Sequence, residues 1–421
     1  MKQRLSGLRK RLGGPIYAVA DQCIYSASQL LLSFALARLL SPTDFGVASA
    51  FLAVISFQYI LHMAMVHEPL LIRRYYTDRS TAWLTWALVV LFSLLGFLAW
   101  QIVAFPGQLQ WVGVALIVGY EIFWISRSLL LAGRRYGVLC VSGALIAVGY
   151  VVVLNAGRPA SWKEALLLVS VLQLPFLYLV LANTRHTVLP LPAAKDDQGL
   201  TTRESMAYGW KASLSQFMSW IMTGGAILLL GSSADAEQGG LLKIYITFLL
   251  PMQYVLSALG YYLLPQLAAS WKSADAARRR KSLRDFTGFV LLGFAVAEAV
   301  GVALGLLGPH LVVLAFGANY RGMDFSPFFY APAIFGLTMC LRTGFRAASK
   351  PGALLLCSVV GAVVFAIAML AAGRPVSYIQ TIHAMTWGFA CMAALMVGWL
   401  FFLMRVNGAN GASGENGEQR A

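Results

Sequence analysis

The stretch Trp271-Lys272-Ser273-Ala274-Asp275-Ala276-Ala277-Arg278-Arg279-Arg280-Lys281-Ser282-Leu283-Arg284 puts six cations between two long apolar runs. A helix needs about 20 apolar residues to cross the hydrocarbon of a bilayer. Both flanking runs, 238–268 and 286–308, reach that length. Lys and Arg collect on the cytoplasmic side of multi-span proteins. This loop is therefore read as cytoplasmic, and every other segment is placed relative to it.

Working outward, apolar runs at 15–40, 44–70, 82–104, 109–131, 138–154, 163–182, 205–231, 238–268, 286–308, 323–346, 351–372 and 376–404 predict twelve spans. The loop between spans two and three carries Arg73, Arg74 and Arg79. With both termini inside, 25 of the 32 Lys and Arg residues fall on the cytoplasmic side. Five lie outside (Arg38, Arg158, Lys163, Arg321, Arg374), and Lys211 and Lys243 sit within spans. The asymmetry predicts a multi-pass protein of the inner (plasma) membrane. It also removes the nucleic-acid reading that a net charge of +15 would otherwise invite, because the charge is spread over short loops. A hydrophobic content of 59% against 12% charged residues fits the same class.

The five cysteines (Cys23, Cys140, Cys340, Cys357, Cys391) all fall in predicted spans without a CxxC pair, so they read as small buried hydrophobes. No metal cluster and no cofactor-binding motif is visible. The basic start Lys2–Arg11 and the Ala35-Leu36-Ala37 run imitate a signal peptide, but Asp21, Gln22 and Gln29 interrupt the apolar stretch. An uncleaved first helix is expected.

The polar stretch 183–204 divides the chain into an N-terminal half, 1–182, and a C-terminal half, 205–404, followed by a tail, 405–421, rich in Gly and Asn and expected to be disordered. Six spans per half give both halves the same orientation, so they are expected to be parallel repeats. Each half opens with a long span, a short acidic turn (Asp44; Asp235) and a second long span. The expected fold is all-α: two parallel six-helix lobes around a central cavity.

The run Ala37-Arg38-Leu39-Leu40-Ser41-Pro42-Thr43-Asp44-Phe45-Gly46 resembles the first outer turn of polysaccharide-exporting flippases, within the multidrug, oligosaccharidyl-lipid and polysaccharide exporter superfamily. Ala315-Phe316-Gly317-Ala318-Asn319-Tyr320 is similar to the turn after their ninth span, and span eight, with Pro251 and Leu264-Pro265, looks similar too. The same Ser-Pro-Thr-Asp run also reads as a helix N-cap followed by Pro. The superfamily's lipid II flippases usually have fourteen spans, whereas this chain has room for twelve. The resemblance implies O-antigen, capsule or exopolysaccharide synthesis. The substrate would be an undecaprenyl-pyrophosphate-linked oligosaccharide, moved across the membrane by alternating access. A polymerase and glycosyltransferases would be the partners, alongside membrane lipid.

Charged groups inside spans are costly and face a cavity or a partner. Span one carries Asp21, Gln22, Tyr25, Ser26, Gln29 and Ser33; span seven carries Lys211, Ser215, Ser219 and Thr223 at i, i+4, i+8 and i+12. Gln58, His62 and Met65 lie on span two, and Lys243, Thr247, Tyr254 and Tyr261 on span eight. These stripes either line an aqueous cavity among spans one, two, seven and eight or hydrogen-bond neighbouring helices in a dry bundle. A pyrophosphate needs cationic donors. Lys211 is the first candidate, with Arg342, Arg346, Arg127 and Lys243 behind it and Tyr25 and Gln29 beside them. The alternatives are pairing of Lys211 with Asp21 and snorkelling of the others to the interface. Asp21, Glu121 and Glu298 are candidates for ion coupling; equally, Glu121 and Glu298 could be protonated groups bonded to a neighbouring helix. Pro251 is a candidate hinge.

Two other classes compete. A small-molecule or multidrug exporter of the same superfamily would favour a cavity rich in carboxylates. A membrane glycosyltransferase or polymerase usually carries a large outer loop with catalytic groups, and no such loop or catalytic set is found here.

Overall fold

Ser41 and Pro42 show how the span pattern becomes helices. Ser41 is extended, and its hydroxyl accepts from the Asp44 amide at 3.1 Å, while Pro42 occupies the first turn. A side-chain cap on the orphan amides, a preset proline φ and an acidic group at the helix N-terminus all favour starting a helix here. At the other decisive loop Asp275 does the same, accepting from Ala277 and Arg278.

The computed structural model describes residues 20, 23–67, 79–103, 110–132, 135–172, 202–232, 235–271, 275–348, 350–373 and 376–418. Asp21, Pro175 and the stretch 183–201 lie outside them. Twelve helical rods occur among the described residues. They are α1 (Cys23–Leu39), α2 (Pro42–His62, continued as a π-turn Met63–His67), α3 (Arg79–Val103), α4 (Gln110–Ala132), α5 (Tyr136–Gly157) and α6 (162–172). The second half adds α7 (Thr202–Trp220, a π-turn Ile221–Gly225, then Ala226–Gly231), α8 (Ala236–Trp271), α9 (Ala276–Phe316), α10 (Ala331–Ala347), α11 (Pro351–Ala372) and α12 (Tyr378–Glu418). Nine stretches of these are long and apolar enough to cross a membrane. The architecture is an all-α bundle of two six-helix lobes.

Three boundaries differ from the sequence reading. Span nine, expected over 286–308, is a single helix over Ala276–Phe316. The Asp275 cap starts it early, so the basic cluster is no loop but the helix's first turns, with Arg278, Arg280, Lys281 and Arg284 exposed. Span ten starts at Ala331 rather than 323, because Pro327 sits in a short 3-10 turn and Pro332 favours the first turn of the next helix. The tail expected to be disordered is helical in its backbone through Glu418. No proline follows Tyr378 to break the ladder, and Gly and Asn weaken a helix without blocking it.

Residues of both lobes form one main core cluster, which at the outer end joins Phe45 and Phe51 of α2 with Tyr245 of α8, Phe316 and Phe328. The same cluster runs on to the inner ends of both lobes, through Leu130 and Leu139 of one and Phe345 and Leu354 of the other, and two smaller clusters lie beside it. Val66, Leu88, Phe92 and Leu129 form a cluster of the N-terminal lobe, and Leu256, Leu267, Phe286 and Cys340 one of the C-terminal lobe. α9 and α5 turn Leu291, Leu306, Val141 and Leu145 outward, as lipid-facing helices do.

Candidate functional site

The first two helices of each half form the seam between the lobes. α2 packs on α7, where Trp220 Nε1 donates to Ser56 Oγ at 2.9 Å and Phe57 lies against Phe217 with ring centroids 5.5 Å apart. α1 meets the corresponding α8 through Tyr25 and Tyr254, edge to face at 6.5 Å. At the outer end Gly46 meets the Ala236 backbone so closely that a side chain at residue 46 would have no room. Arg38 donates to the carbonyls of Leu314 and Ala315, the last turn of α9. A cation there satisfies orphan carbonyls and the negative helix end together. Phe34 packs edge-on against Phe316 at 4.7 Å. The outer end is therefore closed.

The candidate residues fall into separate places on this frame. Arg127 of α4 is buried and lies over the Tyr25 ring, 4.5 Å from its centroid. Trp124 Nε1 reaches Tyr25 Oη at 3.4 Å, and Phe123 stacks on the same ring at 5.9 Å. This places a cation where α1, α4 and α8 converge. Arg342 of α10 is half-buried and donates to Ser219 Oγ of α7. Lys211 is half-buried, with its ammonium 5.5 Å from the centroid of the exposed Trp210 ring. Lys211 lies eight residues before Ser219, about 12 Å along the helix axis. The two cations thus stand at different depths. Arg346 and Lys243 are half-buried, one turn from Arg342 and near the outer end of α8 respectively. Gln29 is half-buried, and its carbonyl accepts from Ser33. Glu298 is half-buried on lipid-facing α9, and no ion pair reaches it among the described residues.

The polar stripe of α7 does not face the opposite lobe. Ser215 hydrogen-bonds Ser358 of α11 at 2.9 Å, and Ser219 accepts from Arg342 of α10. The face turned to α2 is aromatic. The dry-bundle alternative thus describes Ser215 and Ser219, and the site narrows to the cations at its edges.

One cluster escaped the sequence reading as a unit. His62 Nδ1 lies 2.7 Å from Glu121 Oε1, with both side chains fully buried. His62 Nε2 is 3.2 Å and His67 Nδ1 2.8 Å from the same Ser128 hydroxyl. Beside them Gln58 Nε2 donates to the Ile117 carbonyl at 3.1 Å. Gln58 and His62, four apart on span two, carried the signal. Their stripe turns to α4, not to a cavity between the lobes.

No family model matches the sequence, and no curated protein matches it. Solved structures do. A Vibrio cholerae MATE transporter is 12% identical, with a TM-score of 0.66, covering 96% of this chain and 98% of that one. A eukaryotic MATE transporter gives a TM-score of 0.58 at 14% identity, covering 94% and 96%. A Pyrococcus furiosus transporter of the MOP superfamily, described as having a binding pocket of reverse polarity, gives 0.60 at 14% identity, covering 94% and 95%. The chain has the fold of these transporters over nearly its whole length.

Proposed function

We propose that the chain is a membrane transporter that moves an amphipathic substrate outward by alternating access between its two lobes. The observation that carries this reading is the match of both lobes to MATE transporters from end to end. The closed outer seam supports it, since two lobes that meet at one end can open that end while closing the other.

For the substrate, export of small organic compounds is the reading the fold likeness favours, since two of the similar structures are described as multidrug resistance transporters. Flipping of an undecaprenyl-pyrophosphate-linked oligosaccharide is the second reading. Its support is the set of cations Arg342, Arg346, Lys211 and Arg127, which suit a polyanionic head group better than a cationic drug. Proteoliposomes holding the purified chain test both. Efflux of ethidium with no flipping of a fluorescent polyprenyl-pyrophosphate sugar supports the first; the opposite supports the second. Neither activity, from protein that is folded and inserted, overturns the transporter reading for both substrate classes.

A further inference from the structure

The cluster at His62, Glu121, Ser128 and His67 has a hydrogen count that fixes its chemistry. Ser128 has one proton, and its hydroxyl donates to the Trp124 carbonyl at 2.8 Å. Its oxygen is left to accept, so the two histidine nitrogens facing it, His62 Nε2 and His67 Nδ1, both carry protons. His62 Nδ1 and Glu121 Oε1 then share one further proton across 2.7 Å: either His62 is an imidazolium beside a carboxylate, or it is neutral beside a carboxylic acid. Both forms are net neutral. Removing that proton leaves a bare carboxylate in a site with no exposure, and among the described residues Glu121 Oε2 has no hydrogen-bond partner to help carry the charge. The pair is thus a two-state element in which one proton decides whether a buried charge exists.

The cluster also extends along α2. In an α-helix, residues five apart are rotated by about 140°, on nearly opposite faces. The π-turn Met63–His67 changes this, because its i→i+5 bonding stacks such residues, and His67 comes round to the same Ser128 as His62. His67 is itself buried, and of the cluster it lies furthest along α2 toward the end that the basic loops place on the cytoplasmic side. Among the described residues, the other charged group near His67 is Arg127, held on Tyr25, with Tyr254 facing the same place from α8.

We infer that His62 and Glu121 form a proton-binding site, a neutral His62 beside a Glu121 carboxylic acid when filled, with the proton arriving from the inner side through His67 and Ser128. Its use in a transport cycle rests on the transporter reading above. The step balances. In the emptied pair His62 holds its one ring proton on Nδ1, facing the carboxylate, and Nε2 is bare. A proton enters at His67 Nε2, His67 Nδ1 passes its own to Ser128, Ser128 turns from the Trp124 carbonyl and passes its own to His62 Nε2, and the Nδ1 proton moves onto Glu121, neutralising the pair. His67 then returns to its starting tautomer.

Infrared difference spectroscopy of the full chain in lipid nanodiscs tests the site without any substrate. Wild type should show a carboxylic-acid carbonyl band in acidic buffer that vanishes in alkaline buffer. That band should be missing in Glu121→Gln, a near-isosteric variant whose folding is checked by its elution and helix content. Ser128→Ala and His67→Phe should keep the band but slow its hydrogen–deuterium exchange by about 100-fold, the cost of losing one positioned proton-transfer group. Identical carbonyl bands in wild type and Glu121→Gln overturn the site. Unchanged exchange in both relay variants overturns the route. In proteoliposomes the proton-gradient dependence of ethidium efflux should be lost in Glu121→Gln, and its retention overturns the coupling. A wild type with the band but no transport leaves the site standing and sinks the transporter reading instead.

Discussion

At the level of single residues, depth could be read from the sequence and partners could not. Lys211, Arg342, Arg127 and Glu121 were all expected inside spans, and the structure buries or half-buries each. What each faces depends on helix rotation, which four-residue spacing leaves open: the stripe of α7 could point at the opposite lobe or at α10 and α11, and it points at the latter. The two substrate readings make opposite statements about Arg342. Under the flippase reading Arg342→Ala should cut lipid-linked oligosaccharide flipping at least about tenfold, and Arg342→Lys should restore only part, because a point charge cannot replace a planar, multi-donor fork. Under the small-organic reading the same Arg342→Ala leaves ethidium efflux at the wild-type rate or faster. Initial rates in proteoliposomes at matched protein content separate the two. Lys211→Ala, measured beside it, should lower flipping less, since Lys211 leans on an exposed ring about 12 Å from the Arg342 level.

Among the elements, the helices were legible and their interruptions were not. Hydropathy finds where a helix crosses but does not register one extra residue in a turn, so the π-turns at Met63–His67 and Ile221–Gly225 left no trace in the pattern. They were decisive all the same: one turns His67 to Ser128, and the other follows Trp220, whose indole reaches α2. The Ser41-Pro42 cap, by contrast, was plain in the sequence, because capping is local chemistry. Gly46, beside that cap, meets the Ala236 backbone of α8, a partner that no local pattern names. Gly46→Leu would drive a side chain into that backbone, with an overpacking cost of about 1–3 kcal/mol or more. It should lower the thermal midpoint and loosen the outer seam. The check is a thermal melt in detergent, with Gly46→Ala expected to fall between wild type and Gly46→Leu. A melt unchanged in Gly46→Leu would show that α2 and α8 do not meet there.

For the whole molecule, the distribution of basic residues and the span lengths were enough to reach a twelve-span, two-lobe bundle, because a bilayer imposes length and orientation on every helix. The way the lobes lean on each other was not legible, since it rests on contacts between residues hundreds of positions apart, such as Arg38 with Leu314 and Ala315. Orientation has a direct check: reporter fusions after residues 75, 275 and 405 should all report cytoplasm. Alternating access requires the two lobes to switch between closure at the outer end and closure at the inner end. Spin labels on the exposed outer positions Thr43 and Asn319, one on each lobe, measure it most directly by pulsed electron–electron distance spectroscopy in nanodiscs. Two distance populations are expected, a short one matching the closed seam and a long one. The long one should grow in Arg38→Ala, which removes a charge-assisted hydrogen bond worth about 1.5–3 kcal/mol from the closed state. A single short distance, unchanged by Arg38→Ala and by the addition of ethidium or a polyprenyl-pyrophosphate sugar, would contradict alternating access.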